Sequence, residues 1–329
     1  MNRNPLASLS LDLDNKWTYM KIHGDFGWQS FPSYLRIVVP RVLGLLAERR
    51  LQITFFIVGQ DAALEANAEP LAAISSAGHE VGNHSFSHEP WFHLYEEDKC
   101  EDEIARAEAH IERATGHRPL GFRGPGFSSS GTLLNVLLRR GYQYDASSFP
   151  TFFGPIARFY YFFHMKGLDL AQREQRKRLF GTFRDGFRPL RPYLLRSGNL
   201  DLVEIPVTTM PIVKLPFHLS YILYLSTFSE RLALTYFQAA LAMCRATRTQ
   251  PSLLLHPLDF LGCDDTSDLS FFPAMSLPGA KKLALITQML DIFCRDFTVV
   301  PMRQHAAEAR AGSPLPVLGT VALPREVKQ

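Results

Sequence analysis

The chain has 329 residues, 46% of them hydrophobic and 20% charged, which predicts a folded protein with a sizeable core rather than a disordered one. Its formal net charge of +3 is too small to argue for nucleic acid as a partner. The four cysteines lie far apart with no C-x-x-C pair, so neither a disulfide framework nor a cysteine zinc site is expected.

Neither an export signal nor a membrane-spanning helix is expected from the sequence. Asp12 and Asp14 come before any apolar run that is long enough for a signal segment. The apolar stretch that most resembles a membrane-spanning segment, residues 215–229, contains Pro216 and His218. It falls short of the ~20 residues that a spanning helix needs. We therefore expect a cytoplasmic protein.

Short apolar, β-branched or aromatic runs alternate along the chain with segments of helical periodicity. In chain order, the predicted strands are Ser8–Leu13, Ile53–Val58, His79–Asn83, Gly121–Arg123, Tyr142–Asp145, Leu202–Val207, Ser252–Leu255 and Phe297–Val300. The predicted helices are Tyr34–Arg50, Asp61–Ala77, Glu96–Thr115, Thr132–Arg140, Ser229–Ala246 and Gly279–Cys294. This alternation predicts an α/β fold, a distorted (β/α) barrel of seven or eight strands.

The barrel domain is predicted to cover residues 1–305. The tail at residues 306–329 contains small residues and prolines, so we expect it to be weakly structured. One long connection, at about residues 150–200, interrupts the alternation of strands and helices. A connection of that length inside a compact domain tends to be functional.

This connection concentrates aromatic and basic side chains. Seven of the twelve residues from Phe152 to Phe163 are Phe or Tyr, and a cationic run at residues 173–178 follows. Rings beside cations suit a membrane interface, which predicts peripheral attachment through residues 152–180 to the inner face of the cytoplasmic membrane. A hydrophobic lid on the barrel and an oligomer interface are equal alternatives.

Polar residues that can do chemistry lie at the carboxyl ends of several predicted strands. Because these ends converge on one face of a barrel, where barrel active sites are built, we expect the side chains to meet there. They are Asp12, Asp14, His84, His88, Arg123, Asp145 and His256.

An H-x-x-x-H pair, His84 and His88, follows the third predicted strand. On a helix or in a tight turn this spacing places both imidazoles on one side, and the carboxylate of Asp14 completes a metal-binding set with positions open for water and substrate. By itself this spacing is weak evidence for a metal site, because surface or capping histidines also occur at the same spacing. Zinc (Zn²⁺) is the metal expected for hydrolysis, and Co²⁺, Ni²⁺ or Fe²⁺ would fit the same ligands.

The sequence Ser10-Leu11-Asp12-Leu13-Asp14 places two aspartates on one side of the first strand. Two carboxylates side by side repel each other unless cations neutralise them, so a metal at Asp14 and an arginine near Asp12 would satisfy both. Helix capping or a solvated loop is the alternative interpretation of these aspartates.

Five sequence blocks resemble those of the polysaccharide deacetylase family, carbohydrate esterase family 4, whose members remove N-acetyl and sometimes O-acetyl or formyl groups from sugars. The blocks are LSLDLDN with ITFFIVG following it, GHEVGNHSFSH, GFRGPGF, a looser YDASSFP, and PSLLLHPLD. Together they span about Leu9 to Phe260, and the GHEVGNHSFSH block is the most specific.

The resemblance implies a role for each matched residue. Asp14, His84 and His88 would be the metal ligands, Asp12 the general base and His256 the general acid. Each role fits amide hydrolysis, which needs a metal to polarise the carbonyl and activate water, a base to take a proton from that water, and an acid for the leaving amine.

The family match also implies supporting residues. Arg123 would orient Asp12, and the backbone N–H of Gly126 would stabilise the oxyanion. Asp145 is predicted as a partner of His256, and the alternative is a structural aspartate at a strand end. Trp17 is predicted as a ring that stacks on the sugar, and the alternative is an exposed loop residue. Gly126 occupies the position after the third-block proline, where many members have tyrosine.

The predicted function is removal of an N-acetyl or formyl group from a sugar, with a lipid-linked or cell-envelope glycan as partner. An amidohydrolase acting on a non-sugar amide such as a ureide is the first alternative, because Gly126 and the poorly matched fourth block leave room for another substrate. A non-catalytic module that binds glycan or membrane is the second. Asp12 and His256 argue against it, since binding alone requires neither a base nor an acid.

Overall fold

The computed structural model describes residues 4–154 and 183–321. Its strands are β1 (Leu6–Leu13), β2 (Thr54–Ile57), β3 (Glu80–Asn83), β4 (Gly121–Phe122), β5 (Tyr144–Asp145), β6 (Tyr193–Ser197), β7 (Leu200–Glu204), β8 (Ser252–Leu255), β9 (Thr298–Val300) and β10 (Val317–Val321). The α-helices with described bounds are α1 (Lys16–His23), α2 (Leu35–Ala47), α3 (Gly59–Ala62), α4 (Ala68–Ser76), α5 (Glu97–Thr115), α6 (Gly131–Arg139), α7 (Leu219–Ser226), α8 (Glu230–Ala246), α9 (Gly279–Asp296) and α10 (Met302–Ala311).

The strands form one mostly parallel sheet with the order β10-β6-β7-β5-β4-β3-β2-β1-β8, and β9 pairs with the start of β1. Only the hairpin of β6 and β7 is antiparallel among the described pairs. Every strand predicted from the sequence overlaps an observed one, because each alternates with a helix that covers its apolar side. The predicted α/β fold is confirmed.

The sheet curls toward a barrel. β8 and β7 are not paired as strands, but Thr208, just beyond β7, donates its amide to the carbonyl of Ser252 at 3.0 Å. The Ser252 amide donates in return to the Thr208 hydroxyl at 2.8 Å. Ladder pairing therefore does not close the described sheet, and these two hydrogen bonds connect the segment after β7 to the edge strand β8.

The alternation of β1 separates two environments. Ala7, Leu9, Leu11 and Leu13 pack in the main hydrophobic core. The alternate residues Ser8, Ser10 and Asp12 are also buried but lie on the other side of the strand, as the period of two requires. This polar side lines the barrel interior and leads directly to the functional site.

The prediction that residues 306–329 form a weakly structured tail is wrong for residues 306–311 and 317–321. Residues 302–311 form α10, which buries Met302, His305 and Ala306, and residues 317–321 pair in parallel with β6. Short helices α1 and α7 and strand β6 were also not predicted. Tertiary contacts stabilise these elements, because burial of one face compensates for a weak local pattern.

Much of the long connection falls outside the described residues, which resume at Phe183 after Gly154. The prediction of membrane contact through residues 152–180 therefore lies mostly outside them. Within the described ranges, no helix combines the length and the apolar character needed to cross a bilayer.

Candidate active site

Three side chains meet at the carboxyl end of the barrel. The Oδ1 atom of Asp14 lies 3.0 Å from Nε2 of His88 and 3.3 Å from Nε2 of His84. All three residues are buried, and their ligand atoms lie within 4.8 Å of one another. The structure thus brings together the three predicted metal ligands.

The tautomer of His84 suits a metal ligand. Its Nδ1 lies 2.6 Å from the backbone carbonyl oxygen of Arg123, which can only accept a hydrogen bond. The Nδ1 atom must therefore carry a proton, so in the neutral imidazole the lone pair lies on Nε2, which faces Asp14. Ligating histidines commonly have such a partner on the second nitrogen.

The turn between the two histidines is tight and not helical. Ser85 and His88 adopt positive φ values of 59° and 50°, a region that non-glycine residues seldom occupy. The buried carboxylate of Glu103 accepts hydrogen bonds from the amides of Phe86 and Ser87, and so compensates for this unfavourable backbone. Such strain persists where the surroundings stabilise it, often at functional sites.

The electrostatics of the cluster favour a cation. Burial raises the pKa of Asp14, but the charge of His88 and hydrogen bonds from both imidazoles lower it well below its usual value. Burial lowers the pKa of His84, but the carboxylates of Asp12 and Asp14 raise it above its usual value. When the Nε2 atoms of both imidazoles carry no proton, no group among the described residues donates a hydrogen bond to Oδ1 of Asp14. A divalent cation would supply the positive charge that this oxygen needs, so the donor set fits a metal.

Asp12 forms a buried ion pair with Arg123. Nη1 of Arg123 donates to Oδ1 of Asp12 at 2.6 Å and to the hydroxyl of Ser10 at 2.9 Å, and the arginine side chain is fully buried. Nε donates to the carbonyl of Ala146 at 3.0 Å, and the guanidinium lies 4.4 Å from the ring of Phe56. Because β4 and β1 are separated by two strands in the sheet, Arg123 crosses the barrel interior to orient Asp12.

His256 follows β8, which pairs with β1 so that Leu11 lies opposite Leu255. The next residues along these parallel strands are Asp12 and His256, so the predicted base and acid lie on neighbouring strands at one edge. Nδ1 of His256 lies 3.0 Å from the hydroxyl of Ser220.

The predicted pairing of Asp145 with His256 is wrong. Asp145 instead accepts hydrogen bonds from the Ser147 hydroxyl at 2.6 Å and the Ala146 amide at 2.9 Å, and it also contacts Glu204. Burial and the negative charge of Asp145 raise the pKa of Glu204 well above its usual value. Asp145 points toward β7, which is its neighbour in the sheet.

The predicted sugar-stacking role of Trp17 is also wrong. Its side chain is 1% exposed, and its indole N–H donates to the buried carboxylate of Asp61 at 2.9 Å. Trp17 lies in the first turn of α1, whose inner face packs against Phe31. Gly126 is exposed in a short turn with φ of 58°, and its part in oxyanion binding stays a prediction.

Sequence reasoning missed Ser220, Asp259 and Glu103. Asp259 lies three residues after His256, and its carboxylate accepts a hydrogen bond from the His256 amide at 2.8 Å. This is a helix-capping pattern, and its spacing could have revealed Asp259 from the sequence. Ser220 and Glu103 lie far from their partners in sequence and have no such local pattern.

Residues 25–144 match the family model described as polysaccharide deacetylase, a range that includes His84, His88 and Arg123. The chain is 27% identical over 213 residues to the peptidoglycan deacetylase of Helicobacter pylori, which covers 63% of this chain and 66% of that protein. It is 31% identical over 86 residues to a peptidoglycan-N-acetylglucosamine deacetylase of Bacillus cereus, which covers 26% of this chain and 30% of that protein.

The fold is similar to the crystal structure of a candidate polysaccharide deacetylase from Mycobacterium smegmatis. The TM-score is 0.61 at 21% identity, and the match covers 100% of this chain and 99% of that one. This likeness concerns the fold alone. Over residues 25–144, the chain is therefore similar to the polysaccharide deacetylase family.

Proposed function

We propose that this protein is a metal-dependent hydrolase that removes N-acetyl groups from a glycan of the peptidoglycan type. The observation that carries the proposal is the buried cluster of Asp14, His84 and His88 beside a second carboxylate, Asp12, that Arg123 holds in place. The relatives from Helicobacter pylori and Bacillus cereus, named for peptidoglycan substrates, support the substrate class.

The metal would be held by Oδ1 of Asp14 and by Nε2 of His84 and His88. When bound, a divalent ion, zinc by preference, supplies a Lewis acid that polarises the acyl carbonyl and makes water a stronger nucleophile at neutral pH. The buried carbonyl of Arg123 keeps His84 in the tautomer that such an ion requires.

Asp12 is the general base of the proposal. Its Oδ1 is occupied by Arg123 at 2.6 Å, which fixes the carboxylate in one orientation and leaves Oδ2 to take a proton from the attacking water. His256, on the neighbouring strand, donates a proton to the leaving amine. The backbone amide of Gly126, an exposed residue, is the proposed donor to the oxyanion.

The test combines metal analysis with acetate release from N-acetylated peptidoglycan fragments. We expect the purified protein to contain a divalent metal and to release acetate, and Asp14→Ala and His84→Ala to lose both. The matched control is His117→Ala, since His117 is an exposed histidine. Metal and activity retained in both site variants would contradict the assignment. Metal without acetate release, but with hydrolysis of a ureide or formamide, would point to the non-sugar amide alternative.

We also propose that the protein is cytoplasmic and that its long connection contacts the membrane, which would bring the site to a lipid-linked glycan. At the described ends of this segment, the ring of Phe152 lies 4.9 Å from that of Phe183 and 5.1 Å from that of Phe187. The last two side chains are 58% and 72% exposed, as an interfacial anchor requires. We expect the protein to float with anionic vesicles and a variant without residues 152–180 to stay behind. Failure of the intact protein to bind such vesicles would exclude the contact.

A further inference from the structure

The two histidines of the candidate metal site are held in different ways. Nδ1 of His84 donates a hydrogen bond to the carbonyl oxygen of Arg123 at 2.6 Å, which fixes the plane of its ring. Nδ1 of His88 is buried and has no hydrogen-bond partner among the described residues. Ligating histidines commonly have such a partner. The orientation of the His88 ring therefore depends on the backbone that carries it, the turn of residues 84–88.

One buried carboxylate, that of Glu103 on α5, holds this backbone. Its Oε2 atom accepts the amide of Phe86 at 3.0 Å and the amide of Ser87 at 2.8 Å. Its Oε1 atom accepts the hydroxyl of Ser87 at 2.6 Å. Glu103 is 4% exposed, and hydrogen bonds to an ionised group are strong in such surroundings. Both oxygens of Glu103 thus act on the two residues that precede His88.

The other peptide groups of the turn also have partners within the protein. The amide of Ser85 donates to the side chain of Asn83 at 2.9 Å, and the amide of His88 donates to the hydroxyl of Ser85 at 3.2 Å. The carbonyls at positions 85 and 86 accept the first two amides of α3, at 2.9 and 3.0 Å. The carbonyl at position 87 accepts the ammonium of Lys21 at 3.0 Å. The shape of the turn therefore does not depend on a ligand.

The close approach of α5 to the turn lets Glu103 reach it. A Cβ atom at Gly59 would lie 2.6 Å from Cα of Ala107 and 2.8 Å from a ring carbon of Phe86, so only glycine fits between them. Ala107 lies four residues after Glu103 in α5, on the same face of the helix. The absence of a side chain at position 59 thus allows the face that carries Glu103 to pack against the turn.

We propose that Glu103 is a positioning residue for His88, which it acts on through the backbone. Its three hydrogen bonds fix the turn so that Nε2 of His88 lies 3.0 Å from Oδ1 of Asp14 before a metal binds. A site that is already ordered loses less conformational freedom on binding, so the affinity for the metal rises. The inference rests on the proposed function for the role of the metal in hydrolysis, but not for the order of the turn.

Two variants of Glu103 separate hydrogen bonding from charge. Glu103→Gln loses the charge, but its carbonyl oxygen can accept both amides and its NH2 group can donate to the Ser87 hydroxyl oxygen. Glu103→Asp retains the charge but is one methylene shorter, which should withdraw the carboxylate from the amides. The matched control is Glu108→Asp on the same helix. Glu108 is 8% exposed, and its carboxylate contacts Arg118 and Arg140 rather than the turn.

The first measurement is the affinity for Zn²⁺, by competition with a chromophoric chelator. We expect Glu103→Asp to bind zinc roughly 10- to 100-fold more weakly, the loss usual for partners that orient metal ligands. Glu103→Gln and Glu108→Asp should bind it nearly as tightly as the wild-type protein. Wild-type affinity in Glu103→Asp would overturn the proposal. An equal loss in Glu103→Gln and Glu103→Asp would also overturn it, because charge and not hydrogen bonding would then be responsible.

The second measurement is hydrogen exchange in the metal-free protein. The amides of Phe86 and Ser87 should exchange slowly in the wild-type protein and in Glu103→Gln, and faster in Glu103→Asp. Fast exchange of both amides in the metal-free wild-type protein would contradict an ordered turn. Urea denaturation gives the structural comparison. A purely structural role of Glu103 would lower the urea midpoint in Glu103→Asp, as in Glu108→Asp, and leave the zinc affinity unchanged.

The two proposals fail in different ways. Zinc binding without acetate release by the wild-type protein would overturn the proposed function and leave the role of Glu103 intact. If the wild-type protein bound no zinc, equal exchange in it and in Glu103→Asp would still overturn the role of Glu103. Should Glu103→Asp not fold, Ser87→Ala takes its place, since it retains the charge and removes one of the three hydrogen bonds. Ser87→Ala should bind zinc more weakly than Glu103→Gln, and equal affinities would overturn the proposal.

Discussion

The two ends of the barrel interior each contain a buried histidine near the first strand, β1, but their surroundings differ. At the carboxyl end, His84 lies among Asp12 and Asp14, which raise its pKa above the usual value in spite of burial. At the amino end, His305 contacts the hydroxyl of Ser8 at 2.9 Å and the amide oxygen of Gln250 at 3.2 Å. There burial alone lowers the pKa of the histidine to about 4.

Burial is nearly equal at the two ends, since His84 is 2% and His305 0% exposed. What changes is the identity of the inward residues of β1, which are serines at positions 8 and 10 and an aspartate at position 12. Neutral partners keep a buried histidine uncharged, whereas carboxylates create a deficit of positive charge. The carboxyl end is therefore suited to a cation and chemistry, and the amino end to packing.

The largest effect is expected at the charged end from Asp12→Asn. The amide retains the shape of the side chain but cannot take a proton, so deacetylation should fall by roughly 10²–10⁴-fold. Metal content should stay at the wild-type level, because Asp12 is not one of the three ligands. Parallel measurement of acetate release and bound metal checks this, and near-normal turnover would remove Asp12 from the role of base.

Arg123→Met breaks the buried ion pair and leaves Asp12 uncompensated. We expect the free energy of unfolding to fall by about 3–5 kcal/mol, as for other buried pairs that lose one partner. Urea denaturation measures the change, with Arg36→Met as the matched control. The ion pair of Arg36 with Glu69 is largely exposed, so its loss should cost about 0–1 kcal/mol. Equal losses in the two variants would mean that burial of Arg123 contributes little.

The charged end was more predictable from sequence than its supporting contacts. Asp14, His84 and His88 are recognisable because their spacing and their positions after strands are local properties, and the strands themselves follow from short apolar runs. The bond between Ser220 and His256 joins residues 36 apart, and it depends on how α7 packs against β8. The burial of Trp17 likewise depends on Asp61, which is 44 residues away. No periodicity in the chain encodes such contacts.

At the neutral end, His305→Gln should change how stability depends on pH. The pKa of His305 is about 4 in the folded protein against about 6.5 in an unfolded chain, so its contribution is complete above pH ~6.5 and is lost as the pH falls toward 4. The wild-type protein should lose up to about 3 kcal/mol more than the variant across that range. Urea denaturation of both proteins from pH 7 to pH 4 measures the difference. Parallel curves would show that His305 is not held neutral.

Removal of the metal gives the smallest expected change and separates the two ends directly. A ligand present at about 100 times its Kd stabilises the folded state by roughly 2.7 kcal/mol, so a chelator should lower the stability of the wild-type protein by about that amount. His305→Gln should respond in the same way, because its site is intact. His84→Ala should not respond, since one of the three ligands is missing. Thermal unfolding with and without chelator checks all three proteins, and a full response in His84→Ala would place the metal elsewhere in the molecule.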